Sequence, residues 1–170
     1  QGTLALNSNY SLTYVADTFT ITPRAITVKA DPKAKVFGEV DPSLTYQITA
    51  GTLIGNDTFT GSLVRVVGEN VGRYPINQGS LDLGANYTIT YIQDSLSIGN
   101  AVIVVKADEQ SKVYGAADPA LTYHVVSGTI QSGDSFSGSL TRAAGQNVGE
   151  YVIGKGSLAL PSNYTLVFVN

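Results

Sequence analysis

Residues 36–46 read V-F-G-E-V-D-P-S-L-T-Y, and residues 113–123 read V-Y-G-A-A-D-P-A-L-T-Y. The 77-residue offset from Val36 to Val113 holds far beyond this stretch, with no insertion or deletion. Gly51-Thr52 recurs as Gly128-Thr129, Asp57 and Phe59 as Asp134 and Phe136, and Gly61-Ser62-Leu63 as Gly138-Ser139-Leu140. Arg65 recurs as Arg142, Asn70-Val71-Gly72 with Tyr74 as Asn147-Val148-Gly149 with Tyr151, and Asn86-Tyr87-Thr88 as Asn163-Tyr164-Thr165. About half of the overlapping positions match, which marks an internal duplication. The offset also runs backwards: Gly2-Thr3-Leu4-Ala5-Leu6 and Asn9-Tyr10 match Gly79-Ser80-Leu81-Asp82-Leu83 and Asn86-Tyr87. The chain is therefore constrained to tandem copies of one small fold.

The duplication divides the chain. Residues 1–22 read as the C-terminal strands of a preceding repeat, 23–99 as a complete module, and 100–170 as a second module without its last strand. No later residues match Asp94-Ser95-Leu96-Ser97-Ile98, so the chain reads as a piece of a longer array. A unit of this size can bury a modest core of its own. The net charge is −3, which argues against a nucleic-acid partner, since that would require a basic face. No apolar run approaches the ~20 residues of a membrane-spanning helix. Cys, Met and Trp are absent, so neither a disulfide framework nor thiolate chemistry is available. Charged residues are only 14% of the chain, while Thr, Ser, Gly, Asn, Tyr and Val abound, the composition of a β-rich extracellular module.

Alternation of apolar and polar residues predicts strands. Tyr10-Ser11-Leu12-Thr13-Tyr14-Val15 and Thr18-Phe19-Thr20-Ile21 show it in the first tail. Ile26-Thr27-Val28-Lys29-Ala30 opens the full repeat, and 102–107 opens its copy. Leu44-Thr45-Tyr46-Gln47-Ile48, Tyr87-Thr88-Ile89-Thr90-Tyr91-Ile92 and Leu96-Ser97-Ile98 follow. Residues 57–65 and 134–142 alternate around a glycine, which predicts a strand with a bulge or sharp bend. Pro75 predicts an edge position for its strand, and the Tyr74 side chain resembles the tyrosine that bonds back to the preceding corner in immunoglobulin-like sandwiches. No stretch predicts an amphipathic helix. The expected fold is all-β or mainly β: elongated tandem modules, each a β-grasp-like roll or a small immunoglobulin-like sandwich.

The repeated motif has turn chemistry. Gly38 and Gly115 suit a positive φ. Asp41-Pro42 and Asp118-Pro119 suit a tight turn in which the proline restricts φ and the aspartate bonds the backbone just beyond. Phe37 and Tyr114 are expected to pack beneath these turns, and Tyr46 and Tyr123 begin the strands after them. The residues of this motif are read as structural rather than as a ligand site.

Taken together these residues resemble the MBG-type repeats, of the variety marked by a Y-G-x motif, that occur in tandem in large bacterial surface adhesins. The resemblance rests on Lys29-Ala30-Asp31, Lys35-Val36-Phe37-Gly38, Asp41-Pro42-x-Leu44-Thr45-Tyr46, Gly51-Thr52, Gly61-Ser62-Leu63-x-Arg65, Asn70-Val71-Gly72-x-Tyr74-x-Ile76 and Asn86-Tyr87-Thr88. The second copy carries Tyr114-Gly115, closer to the family pattern, while Phe37 departs from it by one hydroxyl. The resemblance covers nearly the whole chain. It implies a β-rich module of secreted or surface-attached proteins, used as a stalk, and supplies no catalytic residue.

A search for chemistry finds little. The single His124 is replaced by Gln47 in the first copy, so a histidine dyad or zinc site would exist in one copy only, and an exposed strand histidine is expected. Lys29/Lys106, Asp31/Asp108, Lys35/Lys112, Asp41/Asp118, Asp57/Asp134 and Arg65/Arg142 recur in both copies and suit surface ion pairs or caps. No phosphate loop, nucleophile elbow or calcium loop is present; calcium at a junction through Asp31 or Asp108 has too few carboxylates to be expected. No cofactor or metal is assigned. The Asn-x-Ser/Thr triplets at Asn9, Asn56, Asn86 and Asn163 are glycan acceptors in form, and the recurrence at Asn9, Asn86 and Asn163 follows from the repeat and marks strand-entry turns. The leading expectation is a stalk or spacer of an extracellular or cell-surface adhesin, not an enzyme, whose partners are neighbouring repeats. Two alternatives remain: a subunit of a filament joined to identical subunits by strand addition, and a carbohydrate- or protein-binding module using exposed tyrosines such as Tyr46 and Tyr123.

Overall fold

The computed structural model describes residues 2–169. Among them every regular element is a strand, so the all-β expectation holds. The first repeat carries β1 (Arg24–Ala30), β2 (Lys33–Val36), β3 (Tyr46–Ala50), β4 (Val64–Arg65), β5 (Gly72–Asn77), β6 (Tyr87–Ile92) and β7 (Asp94–Gly99). The second carries β8 (Ala101–Ala107), β9 (Tyr123–Ser127), β10 (Thr141–Arg142), β11 (Ile153–Gly154) and β12 (Tyr164–Val169).

A long parallel pair runs through the first repeat. Arg24 lies opposite Tyr87 and Lys29 opposite Ile92, where β1 pairs with β6. The same residue offset continues as Lys33 opposite Leu96 and Val36 opposite Gly99, where β2 pairs with β7. The ladder breaks only near Pro32, which has no N–H to give, and at Gln93. Each half then recruits different antiparallel neighbours, giving the sheets β3-β1-β6 and β2-β7-β5-β4. Burial alternates along β1, where Ile26, Val28 and Ala30 point inward. Leu96 and Ile98 do the same along β7. Ile26, Val28, Leu81 and Tyr87 form one core cluster; Ala101, Ile103, Val105, Leu140, Leu158 and Tyr164 form a second.

The second repeat reproduces the first half of this plan as the sheet β12-β8-β9, with Tyr164 opposite Ala101 in a parallel pair. The other half is reduced to the two-residue pair β10-β11. The strand that would lie between residues 110–113 and β11 is missing from the described residues, and without it 110–113 form no strand. Hydrogen-bonding partners, not propensity, decide whether such a short segment is a strand.

Four other expectations are corrected by the structure. The tail shows no strand over 10–15 or 18–21, and residues 2–23 are all exposed. Their alternation matches β6 and β7, but those strands exist only beside β1, β2 and β5, which the tail lacks. Residues 57–65 do not form one bulged strand: Thr60 makes a single bridge to Asp82, the chain turns at Gly61, and β4 covers Val64–Arg65. Pro75 does not lie on an edge strand, since β5 sits between β7 and β4. It is tolerated because β4 ends there: the Pro75 carbonyl accepts from Val66 N at 2.9 Å, and Arg65 Nη1 donates to the Val66 carbonyl in place of the missing proline N–H. The fourth correction concerns Asp41.

Candidate functional site

Asp41 and Asp118 do not bond the backbone beyond their turns. Asp41 receives a forked pair of bonds from Arg65, Nε to Oδ2 at 2.5 Å and Nη2 to Oδ1 at 3.1 Å. Lys35 Nζ adds a contact to Oδ1 at 2.7 Å. Arg142 and Lys112 repeat this on Asp118, at 2.8 and 3.0 Å from the guanidinium and 2.6 Å from the ammonium. The guanidinium fork matches a carboxylate, which prefers it to single backbone N–H donors. Each arginine also donates to two carbonyls, Val66 and Gly68 in one copy, Ala143 and Gly145 in the other. Each lies over a tyrosine ring, Tyr74 at 5.5 Å and Tyr151 at 5.3 Å. Those tyrosines donate back to the Asn70 and Asn147 carbonyls at 2.7 and 2.9 Å, the corner bond expected from sequence.

Lys35 is not a surface lysine: its side chain is 3% exposed, while that of Lys112 is 21% exposed. Lys35 is satisfied by Asp41, by Glu69 and by the Glu39 carbonyl, so its ammonium can be buried charged. Its pKa is raised, first by the bond to Asp41. The Arg65 guanidinium, then Lys35, lowers the Asp41 carboxyl to about 2. Arg142 and Lys112 lower Asp118 to about 2 in the same order. A folded pKa below the ordinary 3.8 means that the ionised carboxylate is favoured by folding. This contribution is whole above pH about 3.8 and is lost as pH falls through about 2. The substitution Asp118→Ala should lower the second unit's melting temperature by about 4–8 °C at neutral pH and flatten its acid limb between those two values. Calorimetry from pH 2 to 7 measures both effects; unchanged Tm at neutral pH would show that the clamp does not support the fold.

Two further pairs were not connected by sequence reasoning. Tyr87 Oη donates to Asp57 at 2.6 Å and accepts from Ile54 N at 2.9 Å. Tyr164 repeats this with Asp134 at 2.6 Å and Gln131 N at 2.8 Å. Both rings belong to the cores, and the hydroxyl pins the loop between strands to the core ring. The signal was present in the recurrence of Asp57 with Tyr87 at one spacing. Tyr46 and Tyr123 are half-buried and meet Phe59 and Phe136 edge-on at 5.0 and 5.1 Å. They pack inside each unit instead of forming an exposed patch. His124 is an exposed strand residue that meets Asp108 at 2.6 Å, while Gln47 meets Asp31 at 2.9 Å in the same place. Among the described residues no group of three or more His, Cys, Asp or Glu side chains is placed to hold a metal ion.

Phe37 has a different role from the one its turn suggested. Its ring meets the Tyr164 ring edge-on at 5.3 Å and packs against the second unit's core cluster. Its N–H bonds the Gly99 carbonyl at 2.8 Å. Beside it Gly38, at φ +87°, lies so close to Gln131 that a Cβ would fall 2.1 Å from Nε2. On the other flank Asn163 accepts from Val71 N and donates to Asn70 Oδ1, both at 2.9 Å. The Asn163 amide is thus used at the junction. In the second unit the equivalents of Phe37 and Val71 are Tyr114 and Val148, which are 71% and 92% exposed. The substitution Phe37→Ala should let the two units reorient independently, whereas Tyr114→Ala should change nothing at this junction. NMR relaxation reads this as a loss of common tumbling; two units that still tumble together in Phe37→Ala would show that the ring does not hold them.

No curated protein and no solved structure matches this chain. The model of one family, the MBG domain of the YGX type, matches residues 26–97 and again residues 103–170. These two matches cover both clamps and most of the strands described above, and the chain belongs to the MBG-domain family, of the YGX type, as two tandem copies.

Proposed function

We propose that the chain is a structural spacer of a secreted or cell-surface bacterial adhesin, made of modules 23–99 and 100–170 preceded at 1–22 by a tail whose sequence matches the end of another repeat. The observation that carries this reading is the junction. The second unit meets the first through Tyr164 against Phe37, Gln131 against Gly38, and Asn163 against Asn70 and Val71; the first-repeat equivalents of Gln131, Asn163 and Tyr164 are Ile54, Asn86 and Tyr87. The surface that offers Phe37 and Val71 has its exposed counterpart in Tyr114 and Val148. One interface can therefore be used again at each added repeat, and the rod lengthens by a constant step. The motif residues Phe37, Gly38, Asp41, Pro42, Tyr46, Tyr114, Gly115, Asp118, Pro119 and Tyr123 then serve turn, clamp, core and junction rather than a ligand. Membership of a structural repeat family supports this reading, and it assigns no catalytic role to any residue.

A swap experiment tests it. In a surface adhesin carrying these repeats, an unrelated rigid spacer of equal length should preserve adhesion, and shortening by one repeat should reduce it. Adhesion that fails with the unrelated spacer, and returns only with this sequence, would make the repeats a binding module instead.

A further inference from the structure

The chain enters and leaves the first module on strands that run side by side in the same direction. β1 and β2 follow one another along one line, and β6 and β7 follow one another beside them. Both ladders keep a single residue offset, from Arg24 opposite Tyr87 to Val36 opposite Gly99. A backbone bond closes the pairing at each extremity. Arg24 N donates to the Asn86 carbonyl at 2.9 Å, and Phe37 N donates to the Gly99 carbonyl at 2.8 Å. The way in is therefore the start of one parallel line, and the way out is the far end of the other.

The direction of a pull decides how such a ladder breaks. Tension between residues 22 and 100 draws the two lines past each other along their length. The evenly spaced bonds of a parallel ladder run across that direction, so they are strained together. The core adds to the grip, because Ile26, Val28 and Ala30 on one line and Leu96 and Ile98 on the other are buried in close packing. The outer neighbours are sheared as well, since β3 pairs with β1 and β5 pairs with β7 along the same axis. Tension between residues 22 and 85 acts differently. It separates the adjacent starts of β1 and β6, and it opens the pairs singly, beginning with Arg24 and Tyr87.

The second unit continues the path. Only Asn100 lies between Gly99 at the end of β7 and Ala101 at the start of β8. Ala101 N bonds the Asn163 carbonyl at 3.0 Å, and β8 runs parallel to β12 from Ala101 opposite Tyr164. Force leaving the first ladder meets the next one at its first pair, with no slack segment between them.

We infer that these modules bear tension: the composite parallel ladder is a clamp that resists extension along the chain and yields readily only to peeling. This function goes beyond the spacer reading and stands without it, since a spacer can hold a distance and still open under a small pull.

Single-molecule force spectroscopy on the full chain tests it. The chain has no cysteine, so introduced thiols give unique attachment points. Thr22→Cys with Asn100→Cys pulls the first module in shear, and Thr22→Cys with Ala85→Cys peels it. All three positions are exposed and lie outside the strands. Both variants leave the first unit's strands and core untouched, so a difference in rupture force reports direction rather than stability. Rupture under force is governed by the unfolding rate. Shear should need a severalfold greater force than peeling. It should also release the module in one step of roughly 20–25 nm, at ~3.3–3.6 Å per residue. Equal forces in the two directions would overturn the inference. So would a short first step at low force in shear, because the two halves of the ladder would then yield in turn. Either result would leave the spacer reading standing, which fails only if adhesion requires this particular sequence.

Discussion

Replacing Leu96 with alanine should destabilise the first unit by about 2–5 kcal/mol, the range for removing a buried leucine side chain. Leu96 is fully buried at the centre of β7, between Lys33 on β2 and Tyr74 on β5. Its loss opens a cavity where three strands meet, and the parallel ladder on one side and the antiparallel ladder on the other limit collapse into it. Each unit has its own core cluster, so the second unit's transition should stay where it is. Differential scanning calorimetry of the variant should therefore separate two transitions, only one of them lowered. A single transition that moves as a whole would mean that the units fold together.

The second large effect is expected at Gly61. Its φ is +74°, and a Cβ there would fall 2.0 Å from the Ser80 carbonyl oxygen and 2.5 Å from its carbon. Those are backbone atoms held by Ser80 N bonding the Ser62 carbonyl at 3.0 Å, so they cannot swing away. The substitution Gly61→Ala combines a strained backbone with a forced separation of the two segments, and should cost about 2–4 kcal/mol. Gly138 repeats the geometry, with 2.2 Å to the Ser157 oxygen. The same substitution there should lower the second transition instead of the first. A neutral effect at both positions, measured by urea unfolding, would show that the turn accommodates a side chain.

The strands at Arg24–Ala30, Tyr87–Ile92 and Asp94–Gly99 were legible because each alternates cleanly and buries one face. The positive φ of Gly38 and Gly115 and the corner bond of Tyr74 were legible because those residue types have few other uses there. Alternation names the face of a strand but not its neighbour. That is why residues 10–15 and 18–21 read as strands although nothing beside them completes a ladder. It is also why Pro75 was assigned to an edge when the short β4 leaves its nitrogen unopposed. Asp41 was misread because turn chemistry is local, while its partner Arg65 lies 24 residues away. The joint recurrence of Lys35, Asp41 and Arg65 as Lys112, Asp118 and Arg142 was the available signal. Phe37 could not be placed from its own repeat, because its contact is with the next one.

Small-angle scattering on polypeptides of two and of four copies of residues 23–99 tests most directly whether these modules are steps of a rod. The repeated junction of Phe37 with the following Tyr87 position predicts that the radius of gyration nearly doubles while the cross-section stays constant. A compact arrangement would grow only about 1.3-fold, as folded globules do with chain length, and that result would contradict the account.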